Sequence, residues 1–214
     1  MVTDGPSALK QAAFLDEASS SITYDKSQTY NYSGEFGFLY STPAVSFRFG
    51  FEVLKPPALT SVTATNGGAT AYTLNSTYTG FAPKLGVEIN LKKSSTWRLF
   101  LMGFYGSASV SYKNDYTIVN YAPITDHSEE FKGSAALYGG TLGFEGLLTD
   151  TTTYLIEAGF RRLDVTNLNY SKDVTTGIDN KAHAAGDPAL DVNGNQRTLD
   201  FSGAYLSIGF RFYM

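Results

Sequence analysis

The chain has 214 residues, room for one sizeable domain or two small ones, and carries 16 Lys+Arg against 20 Asp+Glu, a net charge of −4 that excludes the basic footprint of a nucleic-acid binder. Charged residues are only 17%, under the ~25% of an ordinary soluble domain, while aromatics reach 14%, with 15 Tyr, 15 Phe and one Trp, beside 21 Gly and 7 Pro. Cysteine is absent, which removes disulfides, thiolate metal sites and thiol nucleophiles, and no apolar run approaches the ~18 residues of a membrane helix.

In chain order, Met1-Val2-Thr3-Asp4 has neither the basic nor the apolar region of a secretory leader, which is neutral for a protein present in mature form. Residues 1–12 read as an N-terminal segment, helical or disordered, and residues 13–214 as a single domain; SALKQAAFLDE over 7–17 has helical propensity. The dominant signal beyond is period two. Over 29–41, Tyr30, Tyr32, Phe36, Phe38 and Tyr40 alternate with Ser33, Glu35 and Gly37. Over 44–54, Val45, Phe47, Phe49, Phe51 and Val53 share one face, with Ser46, Arg48, Gly50 and Glu52 on the other. Residues 81–91 repeat it, with Phe81, Pro83, Leu85, Val87, Ile89 and Leu91 against Lys84, Gly86, Glu88 and Asn90. Residues 97–112 open with WRLFLMGFY, apolar on both faces except for Arg98. Residues 134–148 place Glu145 opposite Leu142 and Phe144, and residues 153–165 place Glu157 and Arg161 opposite Tyr154, Ile156 and Phe160. Last, Ala204, Leu206, Ile208, Phe210 and Phe212 alternate with Tyr205, Ser207, Gly209 and Arg211.

Short turns fall at Thr42-Pro43, Lys92 to Thr96 and Thr149 to Thr152; long polar stretches fall near 55–77, 113–133 and 166–198. This alternation is the layout of an outer-membrane barrel, with tight periplasmic turns and long outer loops. Seven strands would start and end on opposite sides. The even count of such barrels therefore predicts an eighth, around Phe14 to Tyr24, turning at Asp25-Lys26-Ser27. The fold class expected is all-β: an eight-stranded antiparallel transmembrane barrel.

A soluble sandwich buries its apolar face; a membrane barrel turns it outward. The polar faces carry small residues and ten isolated charges: Glu35, Arg48, Glu52, Lys84, Glu88, Arg98, Glu145, Glu157, Arg161 and Arg211, five acidic and five basic. Balanced charges on small-residue faces suit an interior in which they pair, since an unpaired charge there costs several kcal/mol. With Phe100 and Phe104 added, eight strands would leave a filled lumen and no large pore. Tyr40, Trp97, Tyr154, Phe212 and Tyr213 fall beside the short turns, and Tyr30, Tyr32 and Tyr105 toward the long loops, as two aromatic girdles would.

Residues 139–163, GGTLGFEGLLTDTTTYLIEAGFRRL, resemble the glycine-rich strand, short turn and inward Glu with Phe-Arg pair of small eight-stranded outer-membrane proteins such as OmpX, OmpW and the OmpA transmembrane domain; Glu157, Phe160 and Arg161 stand in those places. The C-terminal GAYLSIGFRFYM is similar to the signal read by the barrel-assembly machinery, carried by Leu206, Ile208, Phe210 and Phe212, although Tyr213 and Met214 follow where that signal ends on an aromatic residue. The resemblance covers most of 29–214 and not the first 28 residues. It implies a monomer in the bacterial outer membrane, of Gram-negative type. The partners implied are outer-membrane lipid, lipopolysaccharide, the assembly machinery and a protein partner at the outer loops.

Chemistry is sparse. His127 lies in Asp126-His127-Ser128-Glu129-Glu130 and His183 in Lys181-Ala182-His183-Ala184, both read as solvated loops. Asp187, Asp191, Asn193 and Asn195 miss calcium-loop spacing, because Gly194 falls at the fourth position from Asp191. No cofactor, metal or catalytic group is expected. Residues 57–79 suggest strands protruding beyond the membrane as hairpins, whose edges suit augmentation. The expected function is a structural or surface-interaction role through the long loops. The alternatives are a narrow channel for small or apolar solutes and a lipid A or phospholipid-modifying enzyme.

Overall fold

A computed structural model of the chain describes residues 20–23, 32–55, 58–66, 68–120, 124–190 and 196–213. Among them are strands β1 (Ser20–Thr23), β2 (Tyr32–Ser41), β3 (Val45–Lys55), β4 (Leu59–Asn66), β5 (Ala69–Lys93), β6 (Trp97–Ile118), β7 (His127–Thr149), β8 (Thr152–Val165), β9 (Asn169–Tyr170), β10 (Leu199–Asp200) and β11 (Gly203–Phe212), and no helix. Every pairing is antiparallel, so the fold is all-β.

The main path runs β2–β3–β5–β6–β7–β8–β11. At one end the strands meet in tight turns. The Thr42 amide and hydroxyl both donate to the Val45 carbonyl, at 2.8 and 2.6 Å, and Pro43 between them presets φ for a turn. The Ser94 amide likewise bonds the Trp97 carbonyl at 2.8 Å.

At the other end the strands run on where the sequence reads as loop. β4 continues the line of β3 along β5, with β-branched Thr60, Val62, Thr63 and Thr65 suited to a pleated surface. β4 and β5 form a hairpin, as expected over 57–79. Residues 113–133, expected as a loop, are largely strand: Lys113 pairs with Glu130 and Tyr116 with His127.

Two expectations are corrected. Ser20–Thr23 pair with Asn66–Thr63, and Tyr32 pairs with Lys55. Both β1 and β2 are therefore antiparallel to one line, β3–β4, and run in the same direction. They are not the two arms of a hairpin turning at 25–27, so β1 is not the missing eighth strand. The boundary at residue 12 lies outside the described residues. Nor does the sheet close: among the described residues β2 pairs only with β3 and β11 only with β8. The sheet nevertheless curls strongly, since side chains of β3 reach those of β8 across its concave face.

The two faces exchange character at one level along continuous strands. Toward the short turns, the convex face is apolar and exposed: Leu85 and Ile89 on β5, Leu101 and Tyr105 on β6, Tyr138 and Leu142 on β7, Ile156 and Phe160 on β8. Beyond Phe81, Tyr105, Tyr138 and Phe160 the same face continues as Thr79, Ser107, Ala136 and Arg162. The concave face switches in the opposite sense, from ion pairs to an apolar core of Tyr72, Leu74, Tyr78, Tyr112, Tyr116 and Phe131. Tyr78 stacks on Tyr112 at 4.7 Å and Tyr112 on Phe131 at 5.3 Å. Each such ring removed from water contributes about 1.5–3 kcal/mol.

The stretch 166–198, expected to carry few core contacts, instead packs into this distal core. Leu168, Tyr170, Val174, Ile178 and Ala189 are all buried. Val174 and His183 exchange backbone hydrogen bonds at 2.8 and 2.9 Å. The turn between them closes through Asn180 at φ 61°, where the short amide side chain tolerates a left-handed backbone. Apolar residues at irregular spacing, rather than a periodic run, make this contact.

Candidate functional site

Alternation on seven strands sends every second side chain to the concave face, and curling brings them within reach of one another. All ten charges assigned to that face meet there in one connected network. Arg161 donates to Glu52 at 2.6 Å, Glu52 bonds Lys84 at 2.9 Å, and Lys84 bonds Glu35 at 2.7 Å. Glu35 pairs with Arg48 at 2.9 Å, and Arg48 with Glu157 at 2.6 Å. Glu88 lies 3.8 Å from Arg48, accepts from Arg98 at 2.8 Å and pairs with Arg211. Glu145 closes the far end, 2.7 Å from both Arg98 and Arg211.

Neutral groups complete the acceptors and donors. Thr153 donates to Glu145 at 2.6 Å, Asn90 accepts from Arg98 at 2.9 Å, and Ser46 accepts from it at 3.3 Å. Ser46 and Asn90 share the polar parity seen in the sequence. The Tyr213 hydroxyl also donates to Glu145 at the short-turn end, so this residue, expected in an aromatic girdle, turns its polar end inward. It continues the inward parity of Arg211 one residue past the end of β11. Tyr205 and Thr141, hydroxyl to hydroxyl, join β11 to β7. Phe100, 0% exposed, carries both the Arg98 and the Arg211 guanidinium groups, at 4.9 and 5.3 Å from its ring centre. Phe104 carries the Lys84 ammonium at 5.0 Å. Gly143 makes this layer fit, since a Cβ there would collide with the Phe100 ring.

A cavity of about 610 Å³ opens beside the network, between the facing edges of β2 and β11. Glu35, Arg48, Lys84, Glu157 and Arg161 line it together with Met102, Phe104 and Leu155. A smaller one, about 240 Å³, lies among the short turns beside Trp97 and Tyr213.

The other sequence candidates are placed as follows. Leu206, Ile208, Phe210 and Phe212 project from the convex face, Phe212 being 78% exposed. Tyr40, Tyr105 and Tyr213 are exposed and Trp97 half-buried, and Tyr154 lies across Gly146 beside Phe144. Tyr32 opens β2, and Tyr30, Asp191, Asn193 and Asn195 lie outside the described residues.

His127 and His183 belong to the distal core rather than to free loops. His127 stacks on Tyr116 at 4.9 Å with Nε2 3.3 Å from Glu129, and His183 stacks on Tyr170 at 4.3 Å with Nε2 2.9 Å from Asp179. Burial alone would depress the His127 pKa; the Glu129 carboxylate and the Thr125 carbonyl outweigh it and raise the imidazole above its ordinary value. The buried Glu129 also accepts from the Ile178 amide at 2.8 Å, tying the long connection to β7. Among the described residues no group of His, Asp or Glu has metal-holding geometry.

The interior is thus a set of mutually compensated charges around stacked rings. Comparison with known proteins finds no matching family, no matching curated relative and no matching solved structure.

Proposed function

We propose that the chain is an integral protein of the bacterial outer membrane, held there by its apolar convex belt, with a non-enzymatic structural role and a packed distal half that serves surface contact. One observation carries this reading: the exchange of polarity between the two faces at a common level on β5, β6, β7 and β8. A sheet wholly in water has no reason to expose Leu85, Ile89, Leu142 and Ile156 over a paired ionic interior, and contiguous apolar surface of this extent marks a membrane or partner contact. A belt from Phe81 to Leu91 on β5 or Trp97 to Tyr105 on β6 is about the 9–11 residues that a tilted strand needs to cross a bilayer.

The ion-paired interior argues for a scaffold rather than a wide channel. Planar-bilayer recordings are expected to give no stable discrete conductance, and lipid A mass spectra of expressing cells no new species. The test of the reading is detergent partitioning with gel migration before and after boiling. A detergent-bound band that shifts on boiling is expected; a chain that remains monomeric in buffer without detergent overturns it.

A further inference from the structure

The edges of β2 and β11 face one another across the 610 Å³ cavity, and among the described residues neither pairs with another strand on that side. Each is ten residues long and unbroken in register on its paired side. The cavity side therefore carries a row of backbone N–H and C=O groups from each strand. On the membrane reading above, on which this inference rests, such groups lie at hydrocarbon depth, where each unsatisfied one costs several kcal/mol.

Direction selects what fits. Both strands run from the distal end to the short-turn end, so direct pairing of one with the other would be parallel. One interposed strand running the opposite way is antiparallel to both and satisfies both edges at once. A second copy in the same membrane orientation offers, among the described residues, its own β2 and β11 as the long free edges, and both run the wrong way. Residues 1–19 do not match it either, since their SALKQAAFLDE stretch lacks the alternation that a two-faced strand requires.

We infer that the seam between β2 and β11 is the binding site for one strand from outside residues 1–214. That strand is an extended segment of about ten residues, apolar at alternate positions and small or polar at the others, running from the short-turn end to the distal end. Its apolar side completes the belt between Phe38 and Ile208. Its other side meets Glu35, Gly37, Ser207 and Gly209. Strand addition of this kind draws affinity from main-chain hydrogen bonds and selectivity from alternate side chains.

The test is amide hydrogen exchange of residues 1–214 in detergent micelles, with and without a synthetic peptide of the β3 sequence VSFRFGFEVL, which already pairs antiparallel with β2 in this sheet. A peptide of the same composition with its alternation scrambled is the control. Without peptide, the cavity-side amides of β2 and β11 are expected to exchange at least tenfold faster than those of β5 and β6. With the β3 peptide, and not the control, both edges are expected to slow tenfold or more together. Protection of both edges in the peptide-free protein, or a peptide that slows neither edge or only one, overturns the inference. A chain that does not bind detergent overturns instead the membrane reading.

Discussion

Arg161 and Glu52 offer an asymmetric perturbation whose size follows from their contacts. Arg161 is 2% exposed, and its one ionic partner among the described residues is Glu52; its Nε has otherwise only the Phe201 carbonyl at 3.1 Å. Glu52 has a second partner, Lys84, which in turn keeps Glu35. Glu52→Leu therefore strands a buried guanidinium, and breaking a buried pair in this way costs about 3–5 kcal/mol. Arg161→Met leaves Glu52 paired to Lys84 and is expected to cost clearly less. The double variant removes both charges and is expected to cost less than the sum, with a coupling of at least ~1.5 kcal/mol, within the range for residues in one network. Urea unfolding in micelles reads this through the single Trp97, which stacks on Phe144. Equal single-variant costs, or a strictly additive double variant, would refute a buried network in which the number of partners sets the energy.

Val87 lies on the convex face in mid-belt, so Val87→Arg is expected to cost about 2–4 kcal/mol in lipid, read by unfolding in bilayers; a neutral result removes the lipid contact. Gly143→Ala drives a methyl into the Phe100 ring and is expected to cost about 1–3 kcal/mol by overpacking; an unchanged midpoint would mean that the ring layer is loose. Deleting residues 171–187 removes Val174 and Ile178 from the distal core, so proteolysis is expected to open residues 69–78 and 112–116 while the belt half stays protected; cleavage unchanged from the full chain contradicts this packing. The raised pKa of folded His127 means that its contribution is fully present below the unfolded value of about 6.5 and is lost as pH rises through the folded value, so distal-half stability is expected to fall from pH 5.5 to 8, checked by denaturant titration; a rise over that window refutes the His127–Glu129 contact.

What was legible in the sequence follows from which forces leave a period. The half toward the short turns was legible because convex and concave positions differ maximally there: Phe47 beside Arg48 and Val87 beside Glu88 mark both face and parity. The same parity assigned all ten interior charges. The distal half was illegible because its outward residues are Thr, Ser and Asn, and its inward ones are often Tyr and small residues. Lys113, Asn114 and Asp115 therefore read as polar loop rather than as strand. The long connection was misread for a different reason. Leu168, Val174, Ile178 and Ala189 are spaced irregularly, and their burial depends on a tertiary surface that no local pattern describes. The eighth strand over 14–24 rests on the even count of a closed barrel and not on alternation, and a count cannot tell a hairpin partner from a collinear continuation; the pairing of Thr23 with Thr63 decides it.

The central claim is the exchange of faces along continuous strands, and a nitroxide scan of β5 from Thr73 to Leu91 in lipid vesicles tests it most directly. Odd positions from Thr73 to Leu91 point outward. Labels at Leu85, Val87, Ile89 and Leu91 are expected to collide with oxygen dissolved in the bilayer and not with a water-soluble relaxant. Labels at Thr73, Asn75, Thr77 and Thr79 are expected to do the reverse, with the crossover between Thr79 and Phe81. Water-soluble relaxant reaching every odd position alike, with no crossover, would contradict the membrane-embedded account.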